Sequence, residues 1–105
     1  MKVTIAEGAT TSSAIDLSQS TFTALLIPNG FTGATITFLA AVDGETWKAV
    51  VDDTGAAVSI TATDDRWVAL SGAVAAKLAP FRFLKLVSAS EEEAARTIRF
   101  AVRPR

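Results

Sequence analysis

From Lys2 onward, polar and apolar residues alternate with a period of two. Val3 and Ile5 fall on one side and Lys2 and Thr4 on the other, which suits a half-buried strand better than a helix. The same alternation recurs along the chain and predicts strands near 2–6, 13–18, 22–28, 34–42, 46–51, 57–62, 66–70, 81–88 and 96–103. Turn signals separate them: Glu7-Gly8, Pro28-Asn29-Gly30, Asp43-Gly44, Asp53-Thr54-Gly55 and Asp64-Asp65. Short strands at this spacing predict an all-β fold, a single antiparallel β-sandwich of about eight or nine strands. With no repeat, linker or low-complexity tail, residues 1–105 read as one domain. Whether the sandwich is a jelly roll or immunoglobulin-like stays open, because alternation does not specify strand order.

Alternation also assigns faces. Ile98, Phe100 and Val102 point one way, while Thr97, Arg99, Ala101 and Arg103 point the other, giving an apolar inner face and a polar outer one. The 81–88 strand is mostly apolar on both faces, Lys85 apart, and is expected to be interior. Phe38, Trp67, Phe83, Leu86, Ile98 and Phe100 are the expected core, with Trp47 and Trp67 anchoring it or its rim. Two segments depart from the strand pattern. Alanine-rich 71–80 predicts one helical turn stopped before Pro80. Residues 90–96 (SEEEAAR) fit either a helix start, with Ser90 as cap and Glu93 completing a capping box, or a charged hairpin loop between the last two strands; the short spacing favours the loop.

Composition narrows the chemistry. Cysteine and histidine are both absent, which removes disulfides, thiolate and imidazole metal ligands, and the commonest general base near neutral pH. Ten basic residues against eleven acidic ones do not indicate a polyanionic partner. Arg96, Arg99, Arg103 and Arg105 make the C-terminus locally basic, yet no interleaved aromatic residues accompany them as a single-strand nucleic-acid platform requires. Such arginines suit a protein interface instead. No segment approaches the roughly 18 consecutive apolar residues of a membrane span, and residues 1–8 lack a signal-peptide pattern, so the expectation is a soluble protein made in the cytoplasm. Carboxylates at Asp43, Glu45, Asp52, Asp53, Asp64 and Asp65 suit calcium in principle, but turns favour aspartate for conformational reasons alone, and no metal or cofactor is expected.

The stretch VVDDTGAAV, residues 50–58, resembles the active-site loop of a retropepsin-type aspartic protease, whose two protomers each contribute an Asp. The family's supporting parts do not follow it. No flap glycines come after the motif, and Gly72 is the last glycine, so the C-terminal apolar-apolar-Gly segment of that family is missing. Strand-like sequence on both sides favours a hairpin turn, with Asp43, Gly44, Asp53 and Gly55 as hairpin determinants and no catalytic residue assigned.

A broader resemblance covers nearly the whole chain. VTIAEGATTSSAIDLS, FTALLIPNGFTGATITFLAAVDGETWKAVVDDTGAAVSI, RWVAL and APFRFLKLVSAS…RTIRFAVRP are similar to small β-rich proteins encoded by tailed bacteriophages and prophages, found as virion-associated structural proteins. The resemblance implies a non-enzymatic capsid decoration or cement protein that binds the major capsid protein or other virion proteins. It would be made in the host cytoplasm, located in the virion and present as a homo-oligomer, with neither nucleic acid nor membrane as partner. Arg99, Arg103, Arg105 and Trp47 are the candidate partner contacts. A tail, adaptor or fibre component that binds glycans is the alternative, and a retropepsin-like protease the remote one.

Overall fold

The computed structural model of the chain describes residues 1–104. In chain order these form β1 (Lys2–Ile5), β2 (Ile15–Asp16), β3 (Ser20–Ile27), β4 (Thr35–Ala41), β5 (Lys48–Ala49), β6 (Ser59–Thr61), β7 (Arg66–Ala69), α1 (Gly72–Leu78), β8 (Phe83–Ser88) and β9 (Arg96–Pro104). The strands make two antiparallel sheets. A four-stranded sheet has the order β1-β9-β3-β7, and a five-stranded sheet has the order β2-β8-β4-β5, with β6 also paired to β4. Most consecutive strands therefore lie in opposite sheets. With β5 and β6 sharing one position beside β4, the order is that of a jelly roll, in which strands cross between sheets instead of closing local hairpins.

One apolar cluster fills the space between the sheets. Phe22, Leu25 and Ile27 of β3, Ile36 and Phe38 of β4, Leu84 and Leu86 of β8, and Ile98 and Phe100 of β9 all belong to it. The rings of Phe22 and Phe100 stack with centroids 5.4 Å apart, so β3 and β9 are joined by side chains as well as by their ladder. As expected, β8 is interior, between β2 and β4.

Two of the expected core residues lie elsewhere. Trp67 is 58% exposed. In β7, Val68 packs against the core and its neighbours turn outward, so strand geometry overrides the indole's tendency to bury. Phe83 is only half-buried for the same reason: Leu84 takes the inward position, and the Phe83 ring lies on the outer face beneath Gly44. The expected strand at 13–18 shortens to Ile15–Asp16. It remains tied to β8 by the Ser12 N–H donating to Leu86 O (2.9 Å) and the Leu17 N–H donating to Arg82 O (2.7 Å).

The helix is longer than the single turn expected. Ser71 caps it, its Oγ accepting from the Val74 N–H at 3.2 Å, and its seven residues make about two turns. Leu78 is buried and Val74 packs against the core, so tertiary packing supports a segment too short to be helical alone. Residues 90–95 form a loop, not a helix. This loop does not close a hairpin, because β8 and β9 belong to different sheets.

The two edges of the four-stranded sheet differ. Leu70 N–H donates to Thr23 O at 2.9 Å, which fixes the phase of the β3–β7 ladder and turns the main-chain N–H and C=O of Trp67 and Ala69 away from β3, toward open edge. At the opposite edge, β1 has Thr4 O covered by the Ser13 N–H at 3.3 Å, and Lys2 lies beside it. A lysine on an edge strand discourages pairing by another chain.

Candidate contact surface and the loops around it

Among the turn carboxylates, Asp43, Asp52 and Asp64 accept hydrogen bonds from main-chain N–H groups. Between β4 and β5, Asp43 Oδ1 accepts from the N–H groups of Thr46 (2.8 Å) and Glu45 (2.9 Å), and Oδ2 accepts from the Thr46 hydroxyl (2.9 Å). These bonds favour the charged form, the Thr46 N–H most, and lower the Asp43 pKa to about 2. Gly44 follows with a positive φ of 78°. Between β5 and β6, Asp52 N–H donates to Ala56 O and Gly55 N–H donates to Asp52 O. Asp52 Oδ1 accepts from the Thr54 hydroxyl (2.6 Å) and from the N–H groups of Thr54 (2.9 Å) and Ala56 (3.0 Å), again lowering its pKa. Asp53 is exposed in the same turn, so the carboxylate that organises the Asp-Thr-Gly segment is that of Asp52. Lys77 of α1 adds a weak surface ion pair to it at 3.8 Å.

Gly55 has φ 88°, and a Cβ there would meet nothing within 4 Å. Gly55→Val therefore meets no clash and costs only the left-handed backbone, about 1–2 kcal/mol. The measurement is thermal melting: a lowered Tm is expected, and an unchanged Tm contradicts the turn geometry.

Asp64 is engaged at a distance in sequence, its Oδ2 accepting from the Gly30 N–H at 3.1 Å. The turn carboxylates do not converge, and among the described residues no three Asp or Glu side chains are grouped to hold a metal ion.

Glu92, the middle residue of its acidic run, was not singled out by sequence reasoning. It is 1% exposed. Its Oε1 accepts from the Thr32 N–H (2.9 Å) and Arg96 Nε (3.0 Å), and its Oε2 from the Ser88 hydroxyl (2.7 Å) and the Gly33 N–H (3.1 Å). Burial alone raises a carboxyl pKa, but here the Thr32 N–H, the Ser88 hydroxyl, the Arg96 guanidinium and the Gly33 N–H outweigh it and hold Glu92 below its usual 4.5. Gly33 is glycine because of proximity: an added Cβ would overlap Ser88 Oγ and approach Ala89 N to 3.1 Å. The Glu92 main chain also bonds the β1–β2 connection, accepting from Gly8 N–H (2.8 Å) and donating to Ala9 O (3.1 Å). Three loops at one end of the sandwich thus meet at one residue, two of them through its carboxylate and the β1–β2 connection through its main chain.

The broad sheet faces carry the other named residues. Arg99 and Arg103 both lie on the outer face of the four-stranded sheet, pointing away from buried Ile98 and Phe100. Trp47 is on the other side of the sandwich, where the Lys85 ammonium lies 4.4 Å from its ring centroid and β8 exposes its outer face. The indole that shares a face with Arg99 is Trp67: β3 Leu26 is in register with Trp67 on one side and Arg99 on the other. Arg105 lies outside the described residues. No helix among the described residues is long and apolar enough to cross a membrane. No protein-family model matches the chain, and a search of curated proteins returned no sequence match.

Proposed function

We propose that the protein is a non-enzymatic structural component of a tailed-phage virion, a capsid decoration protein that binds the major capsid protein lattice. The observation that carries this reading is the division of labour among its polar groups. The carboxylates with lowered pKa values, Asp16, Asp43, Asp52 and Glu92, are each bonded to nearby N–H or hydroxyl groups, whereas the large exposed side chains Trp67 and Arg99 stand on the outer face of the four-stranded sheet. Such a molecule acts by surface contact. By analogy only, jelly rolls recur in viral capsid and lectin domains. A small module suits a lattice, because symmetry repeats a modest contact many times.

The test is immunogold electron microscopy on particles of the phage or prophage that encodes the chain. Dense label over heads is the expected result, accompanied by a higher head-disruption temperature when the protein is present. Label restricted to tails, or none on the particles, overturns the reading. Exposed Trp67, which follows Asp64 and Asp65, favours one second reading, a glycan-binding tail component, since an aromatic face stacks on sugar rings. In that case Trp emission shifts on adding host-surface oligosaccharide.

A further inference from the structure

One row of side chains crosses the outer face of the four-stranded sheet in register: Trp67 of β7, Leu26 of β3, Arg99 of β9 and Lys2 of β1. The adjacent row is Ala69, Ala24 and Ala101. The face is thus apolar and low over β7 and β3 and cationic over β9 and β1. Strand alternation places no Asp or Glu on it, although acidic residues outnumber basic ones, eleven to ten, in the whole chain.

The placement of Lys2 and Arg99 is the more telling feature. They are direct cross-strand partners, and like charges directly opposite one another are destabilising. Neither has a carboxylate partner among the described residues, whose ion pairs are Lys77–Asp52 and Arg96–Glu92. An external carboxylate between them would relieve the repulsion.

We infer that this face is the docking surface for a carboxylate-bearing protein surface, with Trp67 and Leu26 as the apolar anchor and Arg99 with Lys2 as the site for a partner Asp or Glu. This identifies the contact face and partner chemistry of the decoration reading, and rests on it. An apolar patch bordered by a planar guanidinium is characteristic of protein interfaces, where Trp and Arg carry much of the binding energy. A nucleic acid would leave the alanine and leucine half of the face without a matching surface. A second copy stacked face to face would set cations against cations.

The experiment is co-sedimentation with expanded heads of the encoding phage, comparing wild type, Trp67→Ala and Arg99→Glu. Both residues are exposed, and unchanged melting curves serve as the folding control. Binding is expected to weaken at least ten-fold for each variant and to fall as salt rises. A Trp47→Phe variant leaves Trp67 as the sole indole, and its emission should shift to the blue when heads bind. If wild type and both variants bind alike and Trp67 emission is unchanged, the face is wrong while the decoration reading stands. If wild type does not sediment with heads, both fall. Self-association of the isolated protein that Trp67→Ala abolishes would assign the face to a second copy and overturn the inference.

Discussion

Replacing Glu92 by alanine is expected to cost about 3–5 kcal/mol, the range for removing one partner of a buried ion pair. The size follows from what is left behind. The N–H groups of Thr32 and Gly33, the Ser88 hydroxyl and the Arg96 guanidinium all point at the lost carboxylate, and the part-buried Arg96 charge keeps no acidic partner. In a domain of this size the loss lowers Tm by on the order of 10 °C or more. The pH dependence has a definite sign. Because the folded pKa lies below the ordinary 4.5, the carboxylate's contribution is fully present above that value and is lost as pH falls through the folded pKa. The stability difference between wild type and Glu92→Ala should be constant from neutral pH to about 5 and then narrow in acid. Urea titrations of both proteins across that range are the measurement, and a difference that widens in acid contradicts the assignment.

Phe22→Ala should be of similar size, about 3–5 kcal/mol, for a different reason. Phe22 is 2% exposed and stacks on Phe100, so its removal leaves a cavity between β3 and β9 and strips one side from the Phe100 ring. The expected signature is a lower urea midpoint with little change in m-value. A loss under about 1 kcal/mol would mean that the site relaxes or that the ring is not packed as described. The two substitutions probe different structures, a polar knot at one end and the apolar centre, and their effects should be nearly additive.

The fold was legible in the sequence wherever alternation was unambiguous. The pattern Ile98, Phe100 against Thr97, Arg99 has one reading, and β9 follows it. At 66–70 both sets of alternate residues are apolar, Trp67 and Ala69 against Val68 and Leu70, so residue size was a poor guide. What decides the matter is that Val68 is opposite Leu25 and Trp67 opposite Leu26, long-range pairings that local pattern does not contain. Strand order was invisible for the same reason. The proposed contact face was half legible: Arg99 and Arg103 stand out in the arginine-rich C-terminal segment, but the indole on their face is Trp67, with Leu26 between it and Arg99, because faces are assembled from strands distant in the chain. Glu92 was hidden by its neighbours. Nothing in three consecutive glutamates marks the middle one as buried, since its partners Thr32 and Gly33 come from a different connection.

The unequal edges of the four-stranded sheet set a limit on how copies can join. Growth by strand addition needs two reactive ends per unit, as polymerisation needs bifunctional monomers. Its two edges are unequal: β7 presents the unpaired main chain of Trp67 and Ala69, while at β1 Ser13 occupies Thr4 O and the Lys2 side chain disfavours pairing along the strand. Strand addition to this sheet would therefore favour the β7 edge, and a copy joined there through its own β7 would make a closed pair and would not run on into a fibre.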